Sequence, residues 1–289
     1  MIIRVEQYRE FGEKDIRRLL PVRKRDTHKG NYGRILLLCG SVGFTGAARL
    51  AAAAALRTGA GLVFLGVPER AYPVIAASAP PEAIVFPLPD DGSGHFSEKA
   101  TPEIIEKMAR ADAILLGSGC GNPEGLRPLI RAILAEQKVP LILDADGINA
   151  LSGHMDILQG RQAPVILTPH DGEFARIYTG APCGRYSETV ALAAETGCIL
   201  LRKGMKTLIS DGVTTYRNRT GNPGMATGGS GDVLSGILAS LVGQKVPPLE
   251  AAALGAYIHG AAGDRCASRL GEYGMLPSDL IAEIPAILG

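Results

Sequence analysis

The sequence has no tryptophan, and only 5% of its 289 residues are aromatic. Without large rings a core must be packed from aliphatic side chains, and the many alanines and glycines suit helices lying close on a sheet. Net charge is nearly absent as well, since 30 basic residues oppose 29 acidic ones for a formal +1. That balance excludes a global field for nucleic acid or an anionic membrane, so any anionic ligand has to be held locally. Cys39, Cys120, Cys183, Cys198 and Cys266 are odd in number and lack metal-ligand spacing, which fits a reducing cytoplasm. No uninterrupted apolar run reaches membrane length, and the alanine-rich stretch 47–56 is short and broken by Arg49. The N-terminus carries Glu6, Glu10, Glu13 and Asp15 and no apolar core segment, which argues against a signal peptide. A cytoplasmic location is expected. No glycine is followed by lysine, so a Walker-type loop is missing, and Gly117-Ser118-Gly119-Cys120-Gly121 lacks the spacing of a dinucleotide fingerprint.

What is present is a repeated alternation. Arg34-Ile35-Leu36-Leu37-Leu38-Cys39-Gly40 reads as a buried parallel strand, after which a small-residue loop opens onto a helix over 47–58. Further strands are expected at 62–67, 113–117, 140–144, 164–168, 199–202 and 207–210, with an edge hairpin at 214–216. A helix followed by a basic lead-in is expected within 11–25, helices at 249–268 and 277–287, and surface loops at Pro80-Pro81 and 87–94. Short apolar strands alternating with helices predict an α/β fold whose mostly parallel sheet is covered on both faces, in one domain over 1–289. In such sheets ligands gather at the C-terminal strand edge, where the polar and glycine-rich segments fall.

The most informative stretch runs from Gly221-Asn222-Pro223-Gly224 through Thr227-Gly228-Gly229-Ser230-Gly231-Asp232. Apolar residues at Val233, Leu234, Ile237, Leu238, Leu241 and Val242 follow with helical spacing. A glycine-crowded loop therefore delivers the chain to a helix N-terminus, where free N–H groups and the positive end of the helix dipole suit a phosphate. A carboxylate beside bound phosphate is costly, and proton abstraction from an attacking hydroxyl is a reason to accept that cost. The alternative is that Asp232 only caps the helix.

Three other segments follow strands. Lys203-Gly204-Met205-Lys206-Thr207 is either a solvated hairpin turn or a set of N–H groups and a hydroxyl for a nucleotide. In Pro169-His170-Asp171-Gly172-Glu173, Asp171 is placed to cap a helix and His170 is a loop histidine that could serve a ligand. The acids of Asp144-Ala145-Asp146 either hold a hydrated metal or cap a helix.

Taken together, these motifs resemble the ribokinase-like superfamily. The combination of His28-Lys29-Gly30-Asn31-Tyr32-Gly33, Gly46-Ala47-Ala48, Leu167-Thr168-Pro169-His170-Asp171-Gly172-Glu173, Lys203-Gly204-Met205-Lys206-Thr207 and Gly221-Asn222-Pro223-Gly224-Met225-Ala226 is narrower. It resembles the ADP- or ATP-dependent NAD(P)H-hydrate dehydratase family. The resemblance implies a three-layer sandwich and dehydration of the S epimer of NADHX or NADPHX, with Mg2+ and with ADP or ATP as phosphate donor.

Carried over by position, it implies that Asp232 is the catalytic base and touches the hydrate, with Ala47, Gly119 and His170 nearby. Gly228, Gly229, Ser230 and Gly231 fall on the nucleotide side together with Lys203, Gly204, Met205, Lys206 and Thr207; no metal ligand is implied. It further implies a homo-oligomer, a tetramer in relatives, and, with no fused epimerase domain expected, a separate epimerase. Two other readings share the loop: a kinase acting on a vitamin-precursor alcohol, and a nucleotide-binding protein without turnover.

Overall fold

The computed structural model describes residues 7–289, so Glu6 lies outside the described part. The strands β1 (Arg34–Leu38), β2 (Leu62–Pro68), β3 (Ala83–Leu88), β4 (Ala113–Leu116), β5 (Leu141–Leu143), β6 (Val165–Leu167), β7 (Ile199–Arg202), β8 (Leu208–Ser210) and β9 (Thr215–Arg217) form one sheet. Its order is β3-β2-β1-β4-β5-β6-β7-β8-β9. Pairing is parallel from β3 through β7, whereas β8 and β9 join antiparallel. The chain winds outward from β1 to β3 and then returns to lay β4 on the other side of β1. The gap between the ends of β1 and β4 is therefore a topological switch point.

The aliphatic composition explains the layering. Successive residues of a strand point to opposite faces, so a strand buried on both must be apolar throughout. Ile35 and Leu37 of β1 enter one core and Leu36 and Leu38 the other, and Ile142 is separated from Leu141 and Leu143 in the same way. On the first face lie α2 (Thr45–Arg57), α9 (Ser230–Gly243), α10 (Pro248–Leu270) and α11 (Pro277–Leu288), through Ala51, Leu238, Leu254 and Ile284. On the second lie α4 (Thr101–Met108), α5 (Pro123–Glu136), α7 (Asp171–Ile177) and α8 (Arg185–Thr196), through Ile104, Ile130, Phe174 and Leu192. Each fully buried leucine or isoleucine contributes about 1.5–3 kcal/mol. The short elements α1 (Glu13–Leu19), α3 (Tyr72–Ser78) and α6 (Asp146–Asn149) complete the helices used below. No helix among the described residues is long and apolar enough to cross a membrane.

Proline fixes two boundaries. The helix expected within 11–25 runs from Glu13 to Leu19 and ends there, because Leu20 precedes Pro21 and takes an extended conformation. The loop expected at 87–94 begins too early, because Pro87 still belongs to β3, paired with Val67. β3 is the outermost strand, where a residue without an N–H can be accommodated.

Candidate active site

Beyond the C-terminal ends of β5, β6 and β7 lies a cleft of about 1220 Å³, and the start of α9 forms its far wall. Lys203, Lys206, Arg217 and Arg219 line it together with Asp144, Asp171 and Asp232, so a chain with almost no net charge gathers charges of both signs here. The residues at its base come from separate strand ends.

β5 delivers Asp144, which is 1% exposed. The next residue, Ala145, takes φ 46° and ψ −109°, a conformation unusual for a side chain with Cβ, and so breaks the strand sharply into α6. Asp144 accepts hydrogen bonds from Ser118 Oγ at 2.9 Å, Thr168 Oγ1 at 2.7 Å and Lys203 Nζ at 3.0 Å. Burial alone would raise this carboxyl, but the Lys203 charge and the three donors outweigh it and hold it below the ordinary carboxylate range. Lys203 Nζ also lies 3.7 Å from Glu173 Oε2. Burial disfavours the ammonium, yet the charges of Asp144 and Glu173 prevail and raise its pKa. Asp146 acts elsewhere, accepting from the Gly121 N–H at 2.7 Å.

Asp232 faces this group from α9. The helix cap is Gly229, at φ 98°, and a Cβ there would stand 2.6 Å from Leu50 Cδ1, so the left-handed turn and the close approach both call for glycine. Asp232 is the third helical residue and makes no capping bond. The capping alternative is thereby removed. A helix N-terminus favours a negative charge, yet burial and the Asp144 carboxylate push the Asp232 carboxyl up to about 7 against the opposing pull of Lys203. A carboxyl poised near neutrality is matched to accepting a proton. Lys203 is also close to the helix start, its Nζ being 3.5 Å from where a Cβ on Gly231 would stand.

Gly228, Gly229, Ser230 and Gly231 line the same cleft as Gly204, Met205, Lys206 and Thr207, so the two expected nucleotide segments face one space. His170 lines it too. It is His170, and not Asp171, that caps α7: its Nδ1 accepts from the N–H groups of Gly172 and Glu173 at 3.0 and 3.2 Å. Those bonds leave the ring proton on Nε2, which lies 3.2 Å from Glu173 Oε1. Asp171 instead accepts from Arg202 Nε at 2.7 Å.

Ala47 and Gly119 do not line this cleft. They meet each other at the switch point, where a Cβ on Gly119, at φ 66°, would stand 2.6 Å from the Ala47 Cβ. Asp232 joins the two regions, since the Ser118 hydroxyl beside Gly119 is close to both Asp144 and Asp232. A further residue at the site is His259 of α10, whose Nε2 lies 3.2 Å from Ser230 Oγ. Burial pushes its imidazole down to about 4, so it is neutral at physiological pH. A histidine one helix away carries no local motif, so only the packing of α10 on α9 reveals it.

The architecture is ribokinase-like; a solved ribokinase at 13% identity shares the fold and, at that distance, the fold alone. The chain belongs to the NAD(P)H-hydrate dehydratase family, whose model matches residues 35–286. It is 36% identical over 292 residues to the ADP-dependent (S)-NAD(P)H-hydrate dehydratase of Cenarchaeum symbiosum, covering 97% of this chain and 96% of that protein. It is 43% identical over 275 residues to the bifunctional NAD(P)H-hydrate repair enzyme Nnr of Moorella thermoacetica, covering 93% of this chain and 52% of that protein. The chain thus spans about half the length of the bifunctional relatives it matches. Among solved structures, the Bacillus subtilis ADP/ATP-dependent NAD(P)H-hydrate dehydratase, co-crystallised with ATP and Mg2+, superposes at TM-score 0.82 with 30% identity over 98% of both chains.

Proposed function

We propose that this protein uses ADP or ATP to dehydrate the S epimer of hydrated NADH or NADPH, restoring the reduced cofactor. The observation that carries this reading is the Asp232 carboxyl, raised to about 7 and set in the first turn of α9 between a glycine loop and the switch point. A phosphate donor in the cleft and a hydroxyl arriving from the Ala47–Gly119 side would meet at that carboxyl. Family membership supplies the substrate class.

The chemistry explains why a phosphate donor is needed. Hydroxide is a poor leaving group, and phosphorylating the ring hydroxyl makes it a good one. The ring nitrogen lone pair can then expel phosphate, leaving a ring iminium, and loss of a proton from the neighbouring ring carbon to the departing phosphate restores the conjugated dihydropyridine. Asp232 takes the hydroxyl proton as the oxygen attacks the terminal phosphorus, and the free N–H groups of the α9 start offset charge developing on the transferred group. Lys203, Gly204, Met205, Lys206 and Thr207 hold the donor from the opposite wall. Ala47, Gly119 and His170 bound the hydrate. Close positioning of donor and acceptor, with water excluded, supplies much of the rate.

The residues present fit a magnesium ion that arrives with the nucleotide. Such an ion keeps several waters and uses one or two carboxylates plus phosphate oxygens. No group of three or more His, Cys, Asp or Glu side chains among the described residues is arranged to hold a metal, while the Asp232 carboxylate, which lines the cleft, offers an oxygen to an ion carried by the phosphates. When bound, the ion would neutralise charge on the phosphates.

The test supplies enzymatically prepared hydrate with ADP and ATP separately and follows the reduced-nicotinamide absorbance. Restoration with release of inorganic phosphate is expected, with ADP preferred and AMP formed one to one with restored cofactor. A stable phosphoester without restored absorbance would instead indicate a small-molecule kinase.

A further inference from the structure

The turn between β7 and β8 directs its carbonyls onto one side chain. Arg185, the first residue of α8, donates from Nη2 to the carbonyls of Arg202 and Lys203, both at 2.9 Å, and from Nη1 to that of Lys206 at 3.2 Å. Its Nε donates to Asp171 Oδ1 at 3.3 Å, and the same oxygen accepts from Arg202 Nε at 2.7 Å. Arg202 is itself fixed, lying 3.8 Å over the Phe174 ring and donating to Glu188 Oε2 at 2.9 Å. Glu188 Oε1 accepts from the N–H groups of Cys183 and Gly184 at 3.2 and 3.3 Å, immediately before Arg185. Both the guanidinium and the backbone it springs from are held.

Drawing three carbonyls to one side leaves the donors of the turn for the other. The N–H groups of Gly204, Met205 and Lys206, residues that line the cleft, find no acceptor among the described residues. Lys206 is left-handed at φ 58°, and successive free N–H groups in such a turn form a concavity suited to an anion. The guanidinium packs directly against this turn, because a Cβ on Gly204 would stand 2.9 Å from Arg185 Nη2.

We propose that Arg185 is a positioning residue for the phosphate donor. By collecting the carbonyls of Arg202, Lys203 and Lys206 it presents the free N–H groups of the turn to nucleotide phosphate. This role rests on the nucleotide-dependent reading above. Lysine cannot substitute, since an ammonium is a point donor and cannot span the fork that a planar guanidinium makes.

The experiment compares wild type, Arg185→Lys and Arg185→Ala by calorimetric titration with ADP and with ATP in the absence of hydrate, alongside steady-state kinetics. Both variants are expected to bind nucleotide about tenfold or more weakly, the loss of at least one charge-assisted hydrogen bond. Their kcat at saturating nucleotide should stay within about threefold and the hydrate KM should not move, the pattern of lost donor binding. Low concentrations of free guanidinium should restore part of the affinity of Arg185→Ala. Unchanged nucleotide Kd in a folded Arg185→Lys would overturn the role, as would equal losses for both substrates without rescue. Failure of Arg185→Lys to fold would also overturn it, making the side chain a folding element. Wild type that binds nucleotide but restores no cofactor would remove the dehydratase reading and leave this one standing. Wild type that binds neither nucleotide would remove both.

Discussion

Lys203 Nζ lies 3.0 Å from Asp144 Oδ1, so the amine of the β7–β8 turn is tied into the base of the cleft. Asp144 is in turn one of the charges that raise the Asp232 carboxyl, while Lys203 opposes it. Burial raises Asp232 most, and these two neighbours of opposite sign adjust its acidity from there.

A pH dependence follows with a definite sign. Asp232 must be ionised to accept a proton, so turnover should rise with pH and level off above about 7. Nucleotide phosphates also titrate near that range, so the displacement in variants is the diagnostic quantity. Asp144→Asn removes a charge that raises Asp232 and should move the acid limb of kcat/KM to lower pH. Lys203→Met should move it to higher pH. A limb that stays in place in both variants would separate Asp232 from the observed titration.

His170 occupies two roles that one pair of substitutions separates. His170→Ala removes the acceptor that caps α7 and should cost about 1 kcal/mol of stability, read as a lower Tm. His170→Asn keeps a capping oxygen but loses the ring. If His170 also bounds the hydrate, the asparagine variant should recover most of the Tm and keep a raised hydrate KM, with nucleotide KM unaffected. Recovery of both would reduce His170 to a cap.

Much of this was legible in the letters, for physical reasons. Strands buried on both faces must be apolar throughout, so β1, β4, β5, β6 and β7 are visible as short aliphatic runs. The start of α9 is visible because glycines give way to a 3.6-residue pattern at Val233. The same reasoning misjudged β3, where Pro87 reads as a loop unless the strand is known to be an edge. The grouping of Ser118, Asp144, Thr168 and Lys203 was out of reach, because it comes from the ends of four strands that only the sheet order brings together. The letters point to Asp171 as the cap of α7, since asparagine and aspartate are the usual caps, whereas the structure uses the rarer imidazole acceptor of His170.

Holding Asp232 near neutrality has a consequence for stability. Its folded pKa, about 7, lies above that of an unfolded carboxyl, so the unfolded chain binds fewer protons between those values and stability falls as pH rises through that window. Each tenfold change in acidity corresponds to about 1.4 kcal/mol, so the full effect is at most a few kcal/mol. Asp232→Asn removes it. The variant should be more stable than wild type at pH 8, with the gap in Tm shrinking towards pH 4. A gap independent of pH would contradict the raised carboxyl.

The central claim is that Asp232 is the base of a phosphate-driven dehydration, and the most direct measurement sets the turnover of Asp232→Asn beside its nucleotide Kd. Asparagine keeps the size but cannot accept the proton as a carboxylate does, while the α9 loop keeps its N–H donors. General-base catalysis is worth about 10² to 10⁴ in rate, so kcat for restored reduced nicotinamide should fall by about a hundredfold or more. Loss of the buried charge should leave nucleotide Kd within about threefold of wild type, or slightly tighter. Near-normal turnover in Asp232→Asn, or a loss of nucleotide binding as large as the loss of turnover, would contradict the account.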